Sequence, residues 1–230
     1  MLIEHGGLRL LTDPVLRSRV GYLRRHGPRP PVPSGIDAVL LSHLHYDHLD
    51  VPSLRKLGRA VRLLVPRGCG RFLARAGFSA VEELSPGETT NLGPLTVLAT
   101  IAAHDPRRRP LGPRAQPLGY VITEERSVYF AGDTDLFAGM AELGPVDLAL
   151  LPVAGWGPKL GPGHLDPERA ARAAELLRPR MAVPIHWGTL HSGRPGPWFS
   201  EPPHRFAAQV ARSAAEVEVR VLSPGESLEL

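Results

Sequence analysis

Apolar positions along this chain fall in short blocks that stop abruptly at polar residues. The opening "LIEHGGLRLLT" has two apolar runs around Gly6-Gly7, the pattern of a hairpin whose turn needs glycine dihedrals. "VLRSRVGYLRRHGPRPPVPSG" has no period, is rich in Pro, Gly and Arg, and reads as a long surface loop. "IDAVLL" is a solid apolar run, as expected of a strand covered on both faces. "VPSLRKLG" then predicts a short helix, "VRLLVP" a strand and "GRFLARAGF" a helix, a βαβ-like alternation. From Ala80 to Phe130 the pattern shifts to short, mostly antiparallel strands with turns at "SPGE", "NLGP" and "TEERS", interrupted by the loop "DPRRRPLGPRAQP".

Alternation resumes with the strand "VDLALLPV", the glycine-rich loop "AGWGPKLGPGHLD" and the helix "PERAARAAELLRP". Asp166 is placed to cap that helix, Pro167 fits its first turn, Pro179 stops it, and Ala170, Ala174 and Leu177 share one face. "MAVPIHWGT" predicts a strand, "PPHRFAAQVARSAA" a helix, and "VEVRVL" with "ESLEL" closing strands. No stretch has the composition of an interdomain linker. Residues 1–230 are therefore expected to form a single α/β domain with two sheet layers between helices.

Composition limits the chemistry. No apolar run approaches the roughly 20 residues that span a bilayer, and the first residues lack the basic start of a signal peptide, so no transmembrane segment and a cytoplasmic location are expected. Cys69 is the only cysteine, which excludes an internal disulfide and a cysteine-rich zinc site; it reads as a small buried residue. Any metal must then sit on His and Asp. The net charge of +4 comes almost wholly from arginine, with Lys56 and Lys159 the only lysines. That balance suits a small, anionic substrate and lacks the long basic stripe of a nucleic-acid binder.

Four apolar blocks end at His or Asp: "DAVLLSHLHYDH", "LATIAAHD", "SVYFAGDTD" and "MAVPIHWG". Strand ends are where ligands bind in α/β architectures, so His43, His45, Asp47, His48, His104, Asp133 and His186 are candidate metal ligands. Imidazole and carboxylate suit zinc first, with iron or manganese as alternatives. These seven exceed what one tetrahedral ion uses; two divalent ions about 3.5 to 4 Å apart would use them all. His43 and His45, two apart on an extended chain, project to the same side and suit one ion, while Asp47 and His48 can aim at a second.

"HLHYDH" resembles the H-x-H-x-D-H signature of the metallo-β-lactamase superfamily, and "AAHD", "AGDTD" and "IHWGT" follow in that superfamily's order. The resemblance implies a four-layer αββα sandwich with a dinuclear site at one edge of the sheets. It places His43, His45 and His104 on one ion, Asp47, His48 and His186 on the other, and Asp133 between them. Asp13, in "LLTDP", resembles an aspartate that supports the site by hydrogen bonds; a turn residue before Pro14 is the alternative. Within the superfamily, "LLTDPVL", "HLHYDHLD" and "GHLDPERA" are similar to the N-acyl-phosphatidylethanolamine phospholipase D branch. "AGDTDLFAGMAELGPVDLALLPV" is as similar to the neighbouring ascorbate-phosphate lactonase branch.

His164 in "GPGHLDPE" matches a histidine beside the metals in the phospholipase-like branch, which implies a hydrogen bond to a phosphate or developing oxyanion; the alternative is a helix-capping role. Family members usually carry a strand ending in Gly-His before a segment like "LIEHGG", where this chain has Met1. Either an edge strand is lost or the true start lies upstream of Met1; a lost strand would expose a sheet edge and suggest a homo-oligomer contact or reduced stability. The implied reaction is hydrolysis by a metal-bound hydroxide, with Asp47 accepting or orienting a proton, on a phosphodiester or phospho-metabolite. A lactone or carboxylic ester of a small polar metabolite is the alternative, and a non-catalytic metal scaffold the third reading.

Arg19, Arg24, Arg25, Arg107, Arg108 and Arg109 lie in loops that either meet an anionic substrate or carry solvated charge. Trp156 and Trp198 either line the pocket or anchor loops, and His191 follows "HWGT" closely enough to lie near the site. His5, His26 and His204 read as structural or surface residues.

Overall fold

The computed structural model describes residues 1–108 and 113–230. In chain order the first strands are β1 (Leu2–His5), β2 (Leu8–Thr12), β3 (Arg19–Val20), β4 (Leu23–Arg25), β5 (Ala38–Leu40), β6 (Arg62–Pro66) and β7 (Val81–Leu84). They are followed by β8 (Thr89–Leu92), β9 (Leu95–Ile101), β10 (Leu118–Thr123), β11 (Ser127–Phe130), β12 (Leu148–Pro152), β13 (Met181–Ile185), β14 (Leu190–His191) and β15 (Glu218–Val219). The helices are α1 (Val51–Leu57), α2 (Gly70–Arg75), α3 (Pro167–Leu177), α4 (Pro197–Ser200) and α5 (Pro202–Ser213).

One sheet runs β1-β2-β5-β6-β7 and the other β15-β13-β12-β11-β10-β9-β8. Successive side chains on a strand point to opposite faces, and both sheets use this to cover two sides at once. Leu10, Leu40 and Leu64 face inward and meet Tyr120, Ile122, Phe130, Leu150 and Val183 of the second sheet. Their neighbours Leu11, Val39, Leu41, Leu63 and Val65 face outward under Leu54 of α1 and Leu73 of α2. On the far side Tyr129, Ala149 and Leu151 are covered by Ala170, Ala174 and Leu177 of α3 and by Phe206 and Val210 of α5. The result is the expected αββα layering. The Tyr120 hydroxyl crosses between the sheets and donates to the Leu41 carbonyl at 2.8 Å.

The hairpin at Gly6-Gly7 forms as expected, with His5 opposite Leu8 and both glycines at positive φ (54° and 73°). Asp166 caps α3 by accepting from the Arg169 amide at 2.8 Å, and Arg178 ends the helix in the left-handed region at φ 45°. Two expectations are corrected. The segment expected to be a surface loop after Pro14 contains the β3-β4 hairpin, which pairs with β14 into a small third sheet; alternation of buried Val20 and Leu23 with exposed arginines hid it in an Arg-rich context. The closing strands reduce to β15; "ESLEL" forms no strand, and Leu222, Leu228 and Leu230 instead pack against the core between the sheets. No helix among the described residues is long and apolar enough to cross a membrane.

Candidate metal centre

β5 ends at Leu40, before the histidines, so His43 and His45 meet at a turn and not along an extended strand as expected. The turn is closed by the amides of His48 and Leu49, which both donate to the His45 carbonyl. Asp50 then caps α1 through the Ser53 amide and is clamped by Arg17, at 2.6 and 2.8 Å. This fixes "HLHYDH" between a sheet and a helix start. The other candidates follow β9, β11 and β13 from the opposite sheet.

His43 Nε2 and His104 Nε2 each lie 3.0 Å from His45 Nδ1. Beside them, His48 Nε2 is 3.1 Å from His186 Nε2, and each is 3.6 Å from Asp47 Oδ2. The His43 and His48 rings are 4.0 Å apart, so the two sets adjoin. Asp133 Oδ2 stands 3.1 Å from His48 Nε2 and 3.4 Å from His186 Nε2. All seven residues proposed from the sequence are thus brought together, with His43, His45 and His104 in one cluster and Asp47, His48 and His186 in another.

The far side of each ring explains its orientation. The Nδ1–H of His48 donates to Asp13 Oδ2 (2.7 Å), that of His104 to the Gly163 carbonyl (2.6 Å) and that of His186 to the Ala154 carbonyl (2.9 Å), while His43 Nδ1 meets Ser42 Oγ at 2.9 Å. With one nitrogen committed to donating, the other is left as a lone pair aimed into the centre. Asp13 also accepts from the Ser42 amide and hydroxyl, so it supports the site and is more than a turn residue. Ser42 and the Ala154 and Gly163 carbonyls were not singled out from the sequence; a carbonyl acceptor leaves no side-chain signature.

This donor set fits a divalent cation. Lone pairs converge at about hydrogen-bond distance without enough protons to share, and Asp133 Oδ1 is buried with no hydrogen-bond partner. Without metal, burial holds the His43 imidazole far below its usual range and His104 at about 4. Burial also works against the His48 imidazolium, yet Asp133, Asp47 and Asp13 together raise its pKa well above the usual value. His186 is raised against its burial by Asp133 and Asp47. Burial disfavours the Asp47 carboxylate, but His48 and His186 bring it down to about 2.

His164 joins the centre. Its Nε2 lies 3.5 Å from Asp133 Oδ2, its ring stands edge-on to His104, and Asp166 alone caps α3. The arginines divide. Arg25 is spent on the Arg17 and Val15 carbonyls, and Arg108 donates to the Leu44 and Leu49 carbonyls while covering the Tyr46 ring at 4.1 Å, which braces the ligand turn. Arg24 lies opposite Arg19 on β3 and His191 on β14, with no acidic partner among the described residues. Arg109 lies outside the described residues. Trp198 is half-buried on Phe199 and anchors its loop, whereas Trp156 is exposed.

Two facing sheets wrapped in helices, with histidines and aspartates gathered at their strand ends, define an αββα protein with a metal centre. The chain belongs to the metallo-β-lactamase superfamily: residues 8–187 match the family described as "Beta-lactamase superfamily domain". A metal-dependent hydrolase of Opitutus terrae is 34% identical over 240 residues, covering 100% of this chain and 95% of that one. An N-acyl-phosphatidylethanolamine-hydrolyzing phospholipase D of Caenorhabditis elegans is 31% identical over 223 residues, covering 84% of this chain and 62% of that protein. Among solved structures, a metallo hydrolase from Ignicoccus hospitalis superposes with a TM-score of 0.73 at 26% identity, covering 99% of this chain and 92% of that one. This protein is a metal-dependent hydrolase.

Proposed function

We propose that the protein is a dinuclear hydrolase of phosphodiesters or related phospho-metabolites. The observation that carries this reading is Asp133. It is buried between the two imidazole sets with Oδ1 unpartnered, and His164 lies against its other oxygen. In the proposed assignment His43, His45 and His104 hold one ion, Asp47, His48 and His186 the other, and Asp133 serves both, with zinc the expected metal. When bound, two such ions supply Lewis acidity toward a phosphoryl oxygen and activate water as the nucleophile.

The remaining chemistry belongs to the chain. Asp47, whose carboxylate is favoured, against its burial, by His48 and His186, would orient the water or accept its proton. Burial works against the charged His164 ring, but its bond to Asp133 and that carboxylate's charge raise its pKa; its Nε2–H faces the centre beside Asp133, where a developing phosphoryl oxyanion would compete for it. Arg19 and Arg24, side by side without an acidic partner among the described residues, favour an anionic substrate. The nematode phospholipase D relative supports diester chemistry over the hydrolysis of a carboxylic ester or lactone.

The test is metal analysis of the purified protein together with turnover of bis-p-nitrophenyl phosphate, a p-nitrophenyl monoester, a lactone and nitrocefin. Two ions per chain with diester turnover is the expected result. Lactone turnover without diester turnover would replace the substrate assignment. The double variant His43→Ala/His45→Ala should lose metal and hydrolysis together; retained turnover without metal would sink the centre itself.

A further inference from the structure

The small sheet of β3, β4 and β14 has one face that packs and one that does not. Val20 and Leu23, opposite each other, are buried, and Arg25, on the same side as Leu23, is consumed by the Arg17 and Val15 carbonyls, which fastens the hairpin. Alternation along the strands puts Arg19 and Arg24 on the other face. They stand directly opposite each other, and His191 of β14 stands directly opposite Arg24. The His26 amide, donating to the Thr189 carbonyl, continues that ladder by one residue, so His26 shares the face; its ring lies 6.4 Å from that of His191.

Like charges directly opposite on a sheet repel, and strands of two or three residues have little to set against that. No carboxylate among the described residues pairs with either arginine. The imidazoles beside them are fixed in place. Both meet the buried Phe199 ring edge to face, His26 at 5.2 Å and His191 at 5.8 Å, and the His191 Nδ1–H donates to the Gly193 carbonyl.

This face adjoins the metal centre. The Ser192 amide, next to His191, donates to the Trp156 carbonyl at 2.9 Å, two residues from the Ala154 carbonyl that accepts from His186. At the hairpin tip, partial burial and then the charge of Asp47 raise the Tyr22 phenol, so the tip lies within the field of the centre.

Paired guanidinium groups flanked by held imidazoles match a phosphoryl dianion. Arginine offers it parallel hydrogen bonds, and an imidazole shares a proton with a phosphoryl oxygen whichever of the two carries it. Two arginines and two histidines exceed what one carboxylate uses.

We propose that Arg19, Arg24, His26 and His191 form a subsite for a phosphoryl group remote from the one under attack. The inference rests on the diester reading above and narrows its substrate class to a phosphodiester that bears a second, terminal phosphate.

Two matched series test this with the metal-loaded enzyme: ω-phosphoalkyl p-nitrophenyl phosphates from ethyl to octyl, and their ω-hydroxyalkyl counterparts. At the chain length that spans the two sites, kcat/KM of the phosphorylated member is expected to exceed that of its counterpart by about tenfold or more, and the advantage should shrink on either side of that length. In Arg19→Gln and Arg24→Gln the ratio should fall toward unity, with metal content and circular dichroism as in the parent. Arg212→Gln removes the same charge from the exposed side of α5 and should leave the ratio alone. No advantage at any length, or an equal loss of it in Arg212→Gln, overturns the subsite.

If neither series is turned over, the diester reading fails separately and the face is decided by binding. Inorganic phosphate added to the loaded protein should then shift the Arg19 and Arg24 Nε–Hε resonances saturably in nuclear magnetic resonance spectra, and Arg24→Gln should raise the midpoint of the Arg19 shift by about tenfold or more. Shifts confined to the imidazoles of the metal centre, or an Arg19 response unchanged in Arg24→Gln, overturn it.

Discussion

Asp13 lies behind the centre at φ 39°, a backbone conformation that asparagine tolerates and alanine does not. It accepts from Ser42 and from the His48 nitrogen that faces away from the centre, so it sets that ring without being assigned to a metal. Asp13→Asn keeps the dihedral and loses the charge. Metal affinity should fall about 10- to 100-fold, measured by competition with a chromogenic chelator. Protonation separates the two sets. In the metal-free protein His48 and His186 are raised and hold their protons to higher pH than a free imidazole, so an ion must displace them; His43, His45 and His104 are lowered. Loading should therefore release more protons at the Asp47, His48 and His186 set. Affinity there should drop first as pH falls, while the other set holds on toward the range of His104, about 4. Calorimetry in buffers of different ionisation enthalpy reads both, and equal proton release in the two steps would contradict the assignment. The candidate ligands were legible in the sequence because they cluster just after apolar blocks. The residues that aim them were not, since Ser42, Ala154 and Gly163 act through a hydroxyl or carbonyl that many residues would supply.

At the scale of elements, Gly132 in "AGDTD" carries Asp133 out of β11. It has φ 61°, and a Cβ would lie 2.4 Å from Ser42 Cβ. Gly132→Ala combines left-handed strain with overpacking against the residue that holds Asp13, and should cost about 3 kcal/mol or more by denaturant unfolding. Asp166→Ala, which only uncaps α3, should cost about 1 kcal/mol and leave metal content alone. Helices with caps and strands buried on both faces were readable from pattern, as α3, β5 and β12 illustrate. The small sheet of β3, β4 and β14 was not. Its strands are two or three residues long, too short to show a period, and β14 pairs with residues 165 or more positions earlier.

Across the whole molecule, β1 to β7 span residues 2–84 and supply His43, His45, Asp47 and His48, while β8 to β15 span residues 89–219 and supply His104, Asp133 and His186. Ions held between them as proposed would tie the two sheets together in addition to the shared core. At about 100 times its dissociation constant a ligand adds roughly 2.7 kcal/mol. Removing metal by chelation should then lower the melting temperature by about 5 to 10 °C, checked by calorimetry before and after zinc is restored.

The exposed turn at Ser85–Glu88 is where the chain passes from one sheet to the other, closed by the Glu88 amide on the Ser85 carbonyl. A cut there leaves each fragment with half a coordination shell. Neither piece alone can chelate as the whole chain does, so metal uptake by the nicked protein reports reassembly. An ion in the proposed centre would then join the two parts alongside their shared core.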